Sequence, residues 1–334
     1  MIMKKVFSYL FIITLLLIIS PAFSFAQTTL NGGFLEMSLS PEKPTPLENV
    51  TITLQSFSYD LDRSKITWLV NGVEKRTEIG LKTFTVLAGQ SGQKTTVGVR
   101  VETPEDGIQK SEVSFTPAVV DLIYEALSYT PPFYKGRALN PNQGKVLVTA
   151  IPELINSAGS KISSKNILYS WKKDGTVQQS ASGIGKNIFI FSGSVPVRDI
   201  LIEVTASSLE GNISASQQIN ITNSSPKIVF YENSLIYGIM FNQAIKNTVN
   251  LITDEFSAVA VPYFFTTNST TGSELDYVWK MNGQTVENQE PKNSFTTRVD
   301  TPGSGLADIS LKISNNVRIF QFTNNNYSIN FSKQ

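Results

Sequence analysis

The stretch ITWLVNG (Ile66–Gly72) decides the fold. It returns in altered form as YSWKKDG (Tyr169–Gly175) and YVWKMNG (Tyr277–Gly283). The chain has three Trp, and all of them stand in this frame, W-x-x-[N/D]-G. Trp68 and Trp171 are 103 residues apart, and Trp171 and Trp279 are 108 apart. Self-similarity at such a period is the mark of repeated domains.

Other landmarks keep pace with the Trp. KTFTV begins at Lys82, KNIFIF at Lys186 and KNSFTT at Lys292. Phe84, Phe189 and Phe295 lie 16, 18 and 16 residues beyond their Trp. Later in each copy comes a turn cluster: TPEDG at Thr103, LEGN at Leu209 and SNN at Ser314. The second and third copies share a lead-in, IYEALSY at Ile123 and FYENSLIY at Phe230. Pro117 and Pro226 mark the seams. Pro cannot donate to a strand ladder, so it suits a break between domains. The partition read from these landmarks is 1–26 for a leader, then 27–117, 118–224 and 225–334 for three domains. Both seams are short and lack Gly/Ser tracts, which predicts closely coupled domains.

The intervening segments alternate with period two. Val50, Ile52 and Leu54 face one way, with Thr51, Thr53 and Gln55 opposite. Val97, Val99 and Val101 repeat the pattern. Alternation puts one face on a core and one in water. Val, Ile, Thr and Phe suit such half-buried strands. Several short strands per copy, punctuated by Asn, Gly and Pro, predict an all-β chain of antiparallel sandwiches. Asn-Gly and Asp-Gly favour a type I′ turn, because both central residues need φ > 0. The repeated motif therefore reads as a strand followed by a tight hairpin. Trp68, Trp171 and Trp279, with Phe84, Phe189 and Phe295, are the expected structural core. The alternative, exposed Trp platforms for sugar rings, does not require a hairpin at constant spacing.

The copies resemble immunoglobulin-like domains of bacterial surface proteins and are similar to their polycystic-kidney-disease (PKD-like) branch. SPEKPTPLENVTITL (Ser40–Leu54) resembles the proline-punctuated opening of such modules, and the Trp matches the core Trp. The PKD pattern is usually W-x-F-G-[DN]-G. Here the acid or amide comes one place earlier, and no aromatic stands two residues after the Trp. The resemblance implies spacers, adhesins or display stalks rather than catalysts.

Lys4 and Lys5 precede an apolar run, Val6–Ile19, broken only by Ser8, Tyr9 and Thr14. Pro21 follows, then Ser24 and Ala26 at the positions a signal peptidase reads. This predicts an export signal cleaved after Ala26. A retained membrane anchor is the alternative, but the run is shorter than the ~20 residues that span a bilayer. Loss of the two leader lysines takes the formal net charge from +1 to −1. A near-neutral chain has no electrostatic reason to bind nucleic acid or an anionic membrane. The expected location is extracellular, at the cell surface or periplasmic. An exported chain without Cys fits a bacterial route and domains of ordinary core size.

With no His and no Cys, Ser-His-Asp and Cys-His catalysis and imidazole or thiolate metal sites are excluded. No catalytic set, cofactor site or metal site is expected. Asp60 and Asp62 fall short of the six to eight oxygens calcium takes, and the other copies do not repeat the pair. Glu125 and Glu232 occupy matching repeat positions, which suits a repeated surface residue better than an acid/base pair. Asn49, Asn220 and Asn268 lie in glycosylation sequons that matter only in a glycosylating host.

The lead-ins, with Tyr129, Phe133 and Tyr134 in Asp121–Leu139 and their counterpart Lys227–Ile245, are rich in large apolar groups. They suit a domain seam first and an external partner second. The functional expectation is a non-enzymatic structural or adhesive spacer whose partner is a protein or a cell-surface glycan. Its alternatives are a glycan- or protein-binding accessory module and a subunit that self-assembles by strand addition. For the last, the alternating C-terminal Tyr327, Ile329 and Phe331 offer an edge.

Overall fold

A computed structural model describes residues 35–333, except 106, 194, 288 and 301. The expected leader lies outside the described residues.

Each alternating segment is a strand with its apolar side inward. The first unit holds β1 (Leu35–Ser40), β2 (Asn49–Ser56), β3 (Lys65–Val70), β4 (Val73–Ile79), β5 (Thr83–Leu87), β6 (Thr95–Thr103) and β7 (Gly107–Phe115). They form two sheets, β1-β2-β5 and β4-β3-β6-β7. One core joins the sheets, with Val50, Ile52 and Leu54 on one side and Ile66, Trp68, Val97, Val99 and Val101 on the other. Lettered in the immunoglobulin manner, A-B-E faces C′-C-F-G, and the Trp stands on strand C.

The second unit repeats the plan. It holds β8 (Val119–Ala126), β9 (Lys145–Glu153), β10 (Ile167–Lys173), β11 (Thr176–Val177), β12 (Gly183–Ile184), β13 (Ile188–Ser192), β14 (Ile200–Ser208) and β15 (Ser214–Ile221). The sheets are β13-β9-β8 and β11-β10-β14-β15, with β12 on β10. The third unit holds β16 (Lys227–Ser234), β17 (Gly238–Ile245), β18 (Thr248–Leu251), β19 (Glu255–Tyr263), β20 (Leu275–Met281), β21 (Gln284–Val286), β22 (Ser294–Arg298), β23 (Gly303–Asn315) and β24 (Phe322–Lys333). Its sheets are β17-β16-β19-β22 and β18-β24-β23-β20-β21. Each unit has its own contiguous core. The chain is thus all-β and built of antiparallel immunoglobulin-like sandwiches.

The three hairpins after the Trp are two-residue turns. Val70 pairs with Val73, Lys173 with Thr176 and Met281 with Gln284. Their central residues all have positive φ: Asn71 and Gly72 at 49° and 80°, Asp174 and Gly175 at 50° and 76°, Asn282 and Gly283 at 49° and 82°. That is the type I′ geometry, whose twist matches that of the flanking strands.

The structure corrects one expectation. The C-terminal run around Tyr327, Ile329 and Phe331 is not a free edge. β24 pairs with β23 along its length, and β18 pairs with it in parallel from Ser328 to Phe331. The chain's own β18 thus fills, along Ser328–Phe331, the position that strand addition would need. Tyr327 and Ile329 point into the core.

β19 departs from simple alternation, because both its faces are covered. Ala258 and Ala260 serve the core, while Val259 and Val261 join a second cluster with Tyr231 and Tyr129.

Tyr327 is buried against Phe230, 4.8 Å away, and Phe256, 6.3 Å away. Its hydroxyl has no hydrogen-bond partner, and burial pushes its pKa up. Tyr327→Phe should therefore be neutral or stabilising by up to about 1 kcal/mol. Thermal denaturation measures this, and a clear loss of stability would mean that the hydroxyl is satisfied.

Candidate functional site

The repeated motif is a clamp between sheets. Trp68, Trp171 and Trp279 are 0%, 0% and 2% exposed, so none offers a ring face to a ligand. Each packs on the Phe of its own copy. Trp68 stacks on Phe84 at 5.5 Å, Trp171 lies 5.7 Å from Phe189, and Trp279 lies 5.3 Å from Phe295. Each indole N–H crosses to the other sheet and donates to a backbone carbonyl. The acceptors are Leu81 at 2.9 Å, Lys186 at 2.8 Å and Lys292 at 2.9 Å. The very next carbonyl takes a backbone N–H from β2, β9 or β19. Leu54 donates to Lys82 at 2.8 Å, Ala150 to Asn187 at 2.8 Å and Ala260 to Asn293 at 2.7 Å. The segment entering β5, β13 or β22 is thus held from both sheets.

The turn residue is also more than a bend. The side-chain oxygen of Asn71 accepts the N–H of Thr96 at 2.9 Å, Asp174 that of Leu201 at 3.1 Å, and Asn282 that of Asp308 at 2.9 Å. Their own N–H groups donate to the carbonyls of Thr96, Leu201 and Asp308, each at 2.8 Å. This double tie pins the hairpin to β6, β14 or β23. It explains an amide or acid at that place where Gly alone would satisfy φ. The sequence carried the signal, and turn preference masked it.

The remaining candidates do not converge. Asp60 accepts the Asp62 N–H at 3.1 Å in a local turn, and Asp62 pairs with Lys82 at 2.9 Å. Glu125 and Glu232 are exposed on different sandwiches. Among the described residues, no three His, Cys, Asp or Glu gather as a metal set. No helix among them is long and apolar enough to cross a membrane.

What does converge lies between sandwiches. At the first junction, the Gly92 N–H donates to Pro117 at 3.0 Å and the Ala118 N–H to Pro44 at 3.4 Å. Gly92 has φ +80°, and a Cβ there would sit 2.7 Å from Ile155. The backbone approach thus requires glycine.

At the second junction, the loop after β8 reaches the third sandwich. Tyr129 donates its N–H to Phe265 at 2.7 Å and accepts that of Phe264 at 3.1 Å. Tyr134 packs edge-on to Tyr263 and Phe264. The Tyr231 and Tyr263 hydroxyls meet at 2.7 Å. Burial, and then that hydrogen bond, raises the pKa of Tyr263 well above its ordinary value.

Gln321, fully buried, completes this junction. Its Nε2 donates to Asn142 O at 2.7 Å and to Thr266 Oγ1 at 2.8 Å. Its Oε1 accepts the Thr266 N–H at 2.9 Å. Phe320 donates its N–H to Gln143 Oε1 at 3.1 Å, and Arg318 Nε donates to Gln143 O at 3.2 Å. Motif reading missed Gln321, Asn142 and Gln143, because they do not repeat. Tyr129 and Tyr134 serve the seam, whereas Phe133 stays exposed.

No protein-family model matches the chain, and no curated protein does. Several solved structures are similar to it at low identity. The fibronectin(III)-like modules of Clostridium thermocellum CbhA are 12% identical, cover 56% of this chain and 94% of their own, and have a TM-score of 0.27. Three N-terminal domains of the bacteriophage RB49 highly immunogenic outer capsid protein are 13% identical over 90% of this chain and 99% of theirs, with a TM-score of 0.26. A Bacteroides ovatus protein, SGBP-B, solved with a mixed-linkage heptasaccharide, is 12% identical over 89% and 66%, with a TM-score of 0.21.

Because Trp171 fills its core and makes the cross-sheet bond, Trp171→Ala should cost ~3–5 kcal/mol. Trp171→Phe should cost less, because a ring remains in the core. Chemical denaturation of both variants measures this. A Trp171→Ala protein as stable as wild type would contradict the clamp.

Proposed function

We propose that this chain is an exported, non-enzymatic element of the cell surface, extracellular space or periplasm. Its work is mechanical and adhesive: three domains, 27–117, 118–224 and 225–334, hold a partner-binding surface away from its base. The observation that carries the reading is the junctions. Hydrogen-bonded contacts such as Gln321 to Asn142 join successive sandwiches, and side chains specialised for contact gather there rather than in a cleft. Such coupling restrains the swing of one domain against the next, which suits a spacer.

The N-terminal leader motif and the immunoglobulin-like sandwich point to the same setting. The partner is a protein or a cell-surface glycan. Protein is the better fit, since the Trp that would stack on sugar rings are in the core.

Fractionation of the source cells tests the setting. The mature chain should begin at Gln27 and be cut by protease added to intact or osmotically opened cells. A full-length chain confined to the cytoplasm would contradict it. Small-angle scattering tests the partition: an elongated particle is expected, and one compact globule would contradict it.

A further inference from the structure

The junction between the second and third sandwiches has two halves. One half is the loop after the first strand of a sandwich, where Tyr129 stands three residues beyond Ala126, the end of β8. The other is the loop after β19 of the next sandwich, the counterpart of β2 and β9, where Phe264 directly follows Tyr263, the end of β19. The two pair through backbone hydrogen bonds. The first junction uses the same ends, with Ile155 just beyond β9 against Gly92.

Both halves recur, without such a pairing among the described residues, at the far ends of the first and third sandwiches. Tyr237 stands three residues beyond Ser234, the end of β16, and at the same distance from Trp279 as Tyr129 from Trp171. It is 77% exposed, and its neighbours Leu235 and Ile236 are 93% and 83% exposed. Ile252, 94% exposed, follows β18 at the same end. The register requires this, because Glu232 pairs with Ala258, Leu251 with Phe331 and Ser234 with Gly238. At the opposite end of the molecule, Phe57 directly follows Ser56, the end of β2, as Phe264 follows β19. Phe57 is 99% exposed.

Three consecutive large apolar residues at a hairpin tip are costly to leave in water. Their position is the one that the next sandwich covers in the preceding two copies. We propose that a second copy of this chain covers them: the 235–237 tip and Ile252 of one molecule receive the Phe57 end of another. The contact is heterologous. Each contact uses one tip and one Phe57 end and leaves the assembly one of each, so association continues head to tail into open chains unless the rotation closes a ring. It rests on the tandem reading proposed above and differs from strand addition, since loops and not sheet edges meet.

The test uses the mature chain in wild-type, Ile236→Asp and Phe57→Asp forms. Both substitutions are at exposed sites, and near-UV circular dichroism from the buried Trp checks that each protein is folded. Light scattering across a concentration series should show wild type growing beyond dimers and each variant alone staying monomeric. An equimolar mixture of the variants should form a one-to-one dimer and nothing larger, because one intact tip then meets one intact Phe57 end.

Wild type that stays monomeric up to about 1 mM, where association is worth only about 4 kcal/mol, would overturn the proposal. So would dimers formed by one variant alone, which mean a symmetric contact. Wild type that floats with phosphatidylcholine vesicles through Ile236 without self-associating would also overturn it, by making the tip a lipid anchor. An elongated monomer in scattering would remove the end-to-end contact and leave the tandem reading standing.

Discussion

One bond holds each sandwich in its arrangement: the indole N–H that crosses from the Trp strand to the carbonyl ahead of β5, β13 or β22. The indole buries a large apolar surface between the sheets and satisfies its one polar atom on the far side. Because the acceptor stands in the segment that leads into the opposite sheet, the bond ties the two layers together as well as filling the space between them. The adjacent carbonyl, tied to β2, β9 or β19, extends the ladder from the same point. The Asn or Asp of the following turn then pins the hairpin to the next strand over. Trp, Phe and turn residue thus act as one unit, and their offsets vary little along the chain.

The rest of each sandwich needs less specification. Alternating Val, Ile and Leu close the core around the clamp, and different side chains serve equally well in the three copies. Variation gathers in the loop after the first strand. It is short in the first copy, a junction arm carrying Tyr129 in the second, and two added strands with an apolar tip in the third. The scaffold repeats, and the contacts it makes do not.

Much of the fold was legible because period-two alternation and type I′ turns are local. The Trp frame announced the repeat, and Val50, Ile52 and Leu54 announced an inward face. The parallel pairing of β18 was not legible, since nothing in TVNL marks its partner 80 residues away. Nor was the junction. Gln321 is an ordinary polar residue in sequence, and no local pattern marks its bond to Asn142 of another sandwich. Exposure at Phe57 and at Leu235–Tyr237 was also hidden, because an apolar residue beside a strand reads as core until the topology places it at an end.

The central claim is that the repeated Trp is a core clamp and not a binding platform. Hydrogen exchange at the three indole Nε1–H groups, followed by nuclear magnetic resonance of the whole mature chain, tests it most directly. Three resonances should appear, each exchanging as slowly as the core amides of its own sandwich, because opening requires that sandwich to unfold. An indole proton that exchanges at the rate of a solvent-exposed group in the folded protein would contradict the claim.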